Sequence, residues 1–286
     1  MLAAIPDSLA PAGLGFRDDG WICRTAGAQV MLRRAAPLVA CVALAVAAAG
    51  EIPLSERRSA YRDMAPETRA MQDGDTDNPG MLWVLDGEAL WRAKAGKAGV
   101  SCAGCHGDAE TGMKGVAARY PAYDPKRSTV IDLVGRINAC RTERQEATEL
   151  KRESKELLAL TALVARQSRG LPIVSDHARL KPFIEAGRAV FHARQGQLNL
   201  ACAQCHDDNW GRKLAGIKLP QAHPTGYPLY RLEWQTLGSL QRRLRNCLIG
   251  MRAEPYAYGA PEYLALETYL MWRARGMPME SPAIRP

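Results

Sequence analysis

The chain has 286 residues, of which 47% are hydrophobic and 24% charged, and a net charge of +8. Such a chain can build one or two globular domains with real cores, which excludes a disordered protein. Its one long apolar run, residues 35–49, falls short of the roughly 20 residues that cross a bilayer, so no stable membrane insertion is expected.

In chain order, residues 1–30 contain Pro, Gly and acidic groups and resemble no export signal. They read as an upstream extension, with translation starting at Met31. Residues 31–50 do have the form of a secretory signal: Arg33 and Arg34, an apolar stretch, then Ala47, Ala48, Ala49 and Gly50 as a small-residue cleavage site. The mature chain is therefore expected in the periplasm. The first fifty residues hold four arginines and three aspartates, so the remainder stays basic.

A helix is expected around Leu85, Ala89, Leu90 and Trp91, leading into Cys102-Ala-Gly-Cys105-His106. After a loop containing Pro121, Pro125 and Gly135 comes a second helix with Leu157, Leu160 and Val164 on one face. Gly170 supplies its left-handed stop and Pro172 prevents continuation. The order then repeats: Gly187 to His192, Cys202-Ala-Gln-Cys205-His206, a loop with Pro220, Pro224, Gly226 and Pro228, and a terminal helix ending at Arg275-Gly276. Both loops are expected to wrap a cofactor without forming strands.

Cys-x-x-Cys-His is the attachment motif of c-type haem: two thiols bond the haem vinyl groups and the adjacent histidine presents a ring nitrogen to iron. With 8 Cys and 5 His in the chain, one chance match is expected roughly 0.004 times, so two are not accidental. Two covalently attached haems c are expected, held by Cys102, Cys105 and His106 and by Cys202, Cys205 and His206. Their propionates offset much of the basic charge, and a nucleic-acid partner is not expected.

The motifs stand 100 residues apart, and their flanks match as well: Gly87-Glu-Ala-Leu-Trp-Arg with Gly187-Arg-Ala-Val-Phe-His, and Arg169-Gly170-Leu-Pro172 with Arg275-Gly276-Met-Pro278. One unit has been duplicated. The expected fold is mostly α: two tandem class I cytochrome c-like domains with long haem-wrapping loops, spanning residues 51–174 and 175–286.

Iron's sixth ligand is usually Met or His, but Met113 and Met251 have no counterparts in the opposite copy. His177, His192 and His223 also lack them and read as surface or loop residues; Met277 and Met279 read as packing. What the copies share is Arg136-Ile-Asn-Ala-Cys140 and Arg243-Leu-Arg-Asn-Cys247. In an oxidising compartment Cys140 and Cys247 could pair as a disulfide. The repeat instead favours each as a thiolate ligand of its own haem.

These paired motifs resemble SoxA, the two-haem subunit of the sulfur-oxidising cytochrome complex SoxAX, over nearly the whole mature chain. The resemblance implies an L-cysteine S-thiosulfotransferase that joins thiosulfate to a cysteine of a SoxYZ-like carrier protein, with a SoxX-like monohaem cytochrome as its partner. By the same resemblance, Cys247 is both haem ligand and sulfur-reactive residue, carrying an extra sulfur as a persulfide in many members. Arg243 matches the active-site arginine, and Arg136 and Cys140 serve the first haem without catalytic duty. Arg242, Arg245 and Arg252 add cationic charge that suits an oxyanion. Two other readings stay open: a dihaem electron carrier without sulfur chemistry, and a dihaem peroxidase.

Overall fold

The structure is a computed structural model that describes residues 52–286. The upstream extension and the signal segment lie outside the described residues. Among the described residues no helix is long and apolar enough to cross a membrane.

The first half contains α1 (Pro66–Asp73), α2 (Met81–Arg92), α3 (Cys102–His106), α4 (Ala109–Gly112), β1 (Ala122–Asp124), β2 (Thr129–Ile131), α5 (Leu133–Arg144) and α6 (Lys155–Arg166). The second contains α7 (His177–His192), α8 (Cys202–His206), β3 (Lys213–Leu214), β4 (Ile217–Lys218), β5 (Leu229–Arg231), β6 (Thr236–Gly238), α9 (Leu240–Gly250), α10 (Pro261–Arg273) and β7 (Ala283–Arg285). Each half crosses its first long helix with its last, α2 on α6 and α7 on α10. The β3–β4 hairpin belongs to the second half alone.

The crossings rest on glycine. A Cβ on Gly87 would lie 2.4 Å from the Ala159 carbonyl oxygen, and one on Gly187 would lie 2.0 Å from that of Ala265. Both are inside van der Waals contact, so only a bare backbone fits where the helices touch. Around the first crossing pack Val84, Trp91, Leu158, Leu163 and Val164; around the second pack Leu180, Ile184, Phe191, Leu266 and Tyr269.

Three expectations are corrected. Leu85 is 57% exposed, and the buried face of α2 is instead Val84, Gly87 and Trp91. Both haem-wrapping loops contain strands, β1–β2 and β5–β6, of three residues each, too short to display a period of two. The distal cysteines lie on the additional helices α5 and α9. Those helices carry polar residues around much of their girth, with only Asn138 and Ala139, or Gln241 and Leu248, buried.

The α6 helix is buried all round from Leu157 to Ala165, more than the single apolar face expected. Gly170 has φ +80°, as its stop role requires, and Gly276 has φ +82°. The matched stop segments bond to each other: Gly170 N to Met279 O at 2.8 Å, Met279 N to Leu171 O at 2.9 Å and Ile173 N to Met277 O at 2.9 Å. Met277 and Met279 are buried beside this pairing, with Ala165 and Ile173.

The chain's first described residues cross over to the second half. Arg57 donates to the Arg275 carbonyl at 2.8 Å, Arg58 N to Gln221 Oε1 at 2.8 Å, and Gln221 to the Glu56 carbonyl at 3.3 Å. This strap lies against the loop that follows the second haem motif.

Candidate haem and anion site

In the first half, α3 turns Cys102, Cys105 and His106 through little more than one helical turn. Ser101 caps it, its hydroxyl accepting from Gly104 N at 3.0 Å, and Gly107 ends it at φ +67°. Trp91 Nε1 donates to the Gly107 carbonyl at 2.9 Å, tying the motif to α2. Opposite stands α5, N-capped by Asp132, whose carboxylate accepts from Gly135 N at 2.7 Å. Cys140 lies on this helix near Cys105 and Cys102, and burial pushes its thiol pKa up, with Arg136 opposing.

Arg136 is held by a carboxylate. It donates to Asp124 at 3.1 Å, and the Tyr120 phenol lies within its electrostatic reach. Asp124, 2% exposed, also receives Arg127 at 2.7 Å. Desolvation opposes its ionisation, but these arginines and the Lys126 amide hold its carboxyl below the usual range.

The second half repeats the plan with changes. Ser239 caps α9, accepting from Arg242 N at 3.1 Å, and Cys247 follows two turns later. Cys247 acts electrostatically on Cys202 and Cys205, and burial pushes the Cys202 thiol up to about 11. His206 Nδ1 stands 2.7 Å from the Pro220 carbonyl. Burial holds the His206 ring below its ordinary pKa, so the neutral ring donates from Nδ1 and leaves Nε2 free.

Of the arginines around Cys247, Arg242 lies over the Trp234 ring at 4.4 Å. Arg245 is bonded to the Tyr256 carbonyl and lies 4.8 Å over Tyr258. Among the described residues Arg243 has neither an ion pair nor a side-chain hydrogen bond. The tethered neighbours leave Arg243 as the available guanidinium one turn before the thiol.

All six described cysteines are free, so Cys140 and Cys247 form no disulfide. Among the described residues no three His, Cys, Asp or Glu side chains gather as a metal site by themselves. Haem c fits the donor set: two thiols and a histidine on one turn, a cysteine on the facing helix, and in the second half an imidazole oriented through Nδ1. Met113 is instead buried in the first core, and Met251 follows the end of α9. His177 and His192 are exposed, whereas His223, expected in a loop, is there but buried.

Sequence reasoning missed Pro220, the pair Tyr120 and Tyr227, and the pair Asp124 and Arg231. The last two pairs share the spacing that relates Cys140 to Cys247, and the offset grows from 100 to 107 residues because the β3–β4 hairpin intervenes. That shift was the available signal.

A duplicated fold in which each half sets a Cys-x-x-Cys-His turn against a cysteine-bearing helix defines a c-type cytochrome with two haem positions. The family described as SoxA/TsdA, cytochrome c domain, matches residues 86–173 and 186–279. The L-cysteine S-thiosulfotransferase subunit SoxA of Pseudaminobacter salicylatoxidans is 37% identical, covering 82% of each chain. That of Paracoccus pantotrophus is 33% identical, covering 79% of this chain and 77% of its own. The crystal structure of SoxXA from P. pantotrophus superposes with a TM-score of 0.78 at 32% identity, covering 80% of this chain and 87% of that chain. The chain belongs to the SoxA/TsdA cytochrome c family and carries covalently bound haem c.

Proposed function

We propose that this chain is the dihaem subunit of an L-cysteine S-thiosulfotransferase, which oxidatively joins thiosulfate to a cysteine of a SoxYZ-like carrier protein. It works in the periplasm beside a SoxX-like monohaem cytochrome c. Cys102, Cys105 and His106, with Cys140 opposite, hold the first haem; Cys202, Cys205 and His206, with Cys247 opposite, hold the second. Residues 51–174 and 175–286 are the two cytochrome c domains.

The observation that carries this reading is Cys247 beside the second motif with the unpaired Arg243 one turn away. Joining thiosulfate to a thiol makes a sulfur–sulfur bond and releases one proton and two electrons. Haem iron, when bound, would accept electrons one at a time, so the two would leave in succession to the partner cytochrome. Arg243 offers a planar cationic fork to the oxygens of thiosulfate, and Cys247 is the sulfur at which substrate and carrier meet. Pro220 fixes the orientation of His206 behind it.

Cys247→Met is expected to keep both covalent haems by mass and absorbance and to lose thiosulfate-dependent turnover with the carrier. Retained turnover removes Cys247 from the chemistry. The intact mass of the purified mature chain also counts haems and shows a further 32 units if Cys247 carries a second sulfur.

A further inference from the structure

The two halves bring an arginine and a cysteine to the same place, yet they differ at one duplicated position that touches that arginine. Asp124 ends β1 and Arg231 ends β5. Each is paired across its hairpin with a threonine, Thr129 or Thr236, and each precedes its site arginine by the same twelve residues.

In the first half the aspartate neutralises the site. Its buried carboxylate binds Arg136 and Arg127, Glu143 also meets Arg127, and Lys126 lies 3.7 Å from Glu143. Bonded to this buried carboxylate, with the Tyr120 phenol beside it, Arg136 has less to offer an anion.

In the second half the same position carries a positive charge. The Arg231 side chain is 9% exposed and lies 5.5 Å over the Trp234 ring; its carboxylate partner, Glu233 at 2.7 Å, is 61% exposed, so solvent weakens that ion pair. The buried aspartate that would hold Arg243 is gone. The matched hairpin register sets Arg231 at the position from which Asp124 meets Arg136, and the Tyr227 phenol lies within electrostatic reach of Arg243, Cys247 and Arg231. Arg285, also near, is neutralised by Glu280 and bonded to Gln72.

We infer that the exchange of Asp124 in the first half for Arg231 in the second decides which of the two matching cysteine sites accepts a divalent oxyanion such as thiosulfate. Arg231 is a specificity-determining residue: it supplies positive field without opposing Arg243, and Asp124 locks the first site against the same ligand. The inference rests on Cys247 being the site of thiosulfate chemistry, and it names what admits the substrate there.

The test is equilibrium binding of sulfate, an unreactive dianion, to the oxidised holoprotein at low ionic strength without carrier, beside the KM and kcat for thiosulfate. The wild type is expected to bind one sulfate. Arg231→Gln should weaken it about tenfold and raise KM with little change in kcat, and Arg231→Lys should restore most of the affinity. Asp124→Asn, which leaves Arg231 untouched, should add a second, weaker sulfate site.

No saturable site in the wild type, two equal sites there, or unchanged sulfate affinity in Arg231→Gln overturns the inference. So does the absence of a second site in folded Asp124→Asn. Sulfate binding that depends on Arg231 in a wild type that does not turn over thiosulfate leaves the inference standing and removes the sulfur-transfer reading instead.

Discussion

At His223 a buried imidazole lies between the N-terminal strap and the loop behind the second haem motif, its Nδ1 3.1 Å from the Arg58 carbonyl. Burial lowers its pKa from 6.5 to about 4, with Arg273 and Arg57 adding to the shift and Asp207 opposing it. The folded state therefore keeps the ring neutral while the unfolded chain protonates it below pH 6.5. The stability this contributes is fully present above that pH and is lost as pH falls to about 4, on the order of 3 kcal/mol in all. Thermal unfolding of the holoprotein should move to lower temperature across that window, and His223→Gln should flatten the dependence. An unaltered slope in the variant would assign the acid sensitivity to other groups. The same scale separates Cys247 from Cys140: the sequence shows two equal Arg-to-Cys spacings, and the side-chain partners make them unequal.

The helices owe their crossings to Gly87 and Gly187, which the repeat had marked as matched positions without saying why glycine stands there. The carbonyls of Ala159 and Ala265 fill the space a side chain would take. Gly187→Ala should cost roughly 2 kcal/mol or more through overpacking, read as a lower denaturant midpoint with haem still attached. Gly104, inside α3, provides the control. A Cβ there meets only Ser101 Oγ, at 3.5 Å, so Gly104→Ala should change stability by no more than about 0.5 kcal/mol. The terminal helices were legible because their apolar residues recur with helical period and end at Gly-x-Pro. By contrast α5 and α9 have polar faces beside the cofactor position, so their periodicity is weak and their extent depends on what they pack against.

Across the whole molecule, the halves meet at a buried polar cluster between the caps of the two cysteine-bearing helices. Asp132 accepts two bonds from Arg152, at 2.6 and 3.0 Å, and one from Gln241 at 3.3 Å. Glu267, on α10, is buried against this group; desolvation and the nearby Asp132 hold its pKa well above the ordinary carboxylate range, and Arg152 opposes them. A carboxyl raised in the folded state favours folding at low pH and costs stability as pH rises. Glu267→Gln keeps the shape without that cost, so its gain in melting temperature over the wild type should be larger at pH 8 than at pH 5. Arg152→Met would leave Asp132 and Glu267 buried without a cation and should cost about 3 kcal/mol or more, lowering the unfolding midpoint.

The sequence by itself determined the two Cys-x-x-Cys-His motifs, the duplication and the paired Arg-to-Cys spacings. These are covalent chemistry and local pattern, which survive in one dimension because bond reach and helical period fix the residue intervals. The tertiary structure alone decided that the N-terminal strap closes on the second half and that His206 is oriented by Pro220. It also decided that Arg136 is paired with Asp124 while Arg243, among the described residues, has no carboxylate partner. The strap joins groups far apart in the chain, and the other two depend on which groups the loops bring against the helices, which spacing marks without deciding. The two Cys-x-x-Cys-His motifs are nearly alike as text, and it is the charged groups folded around them that differ.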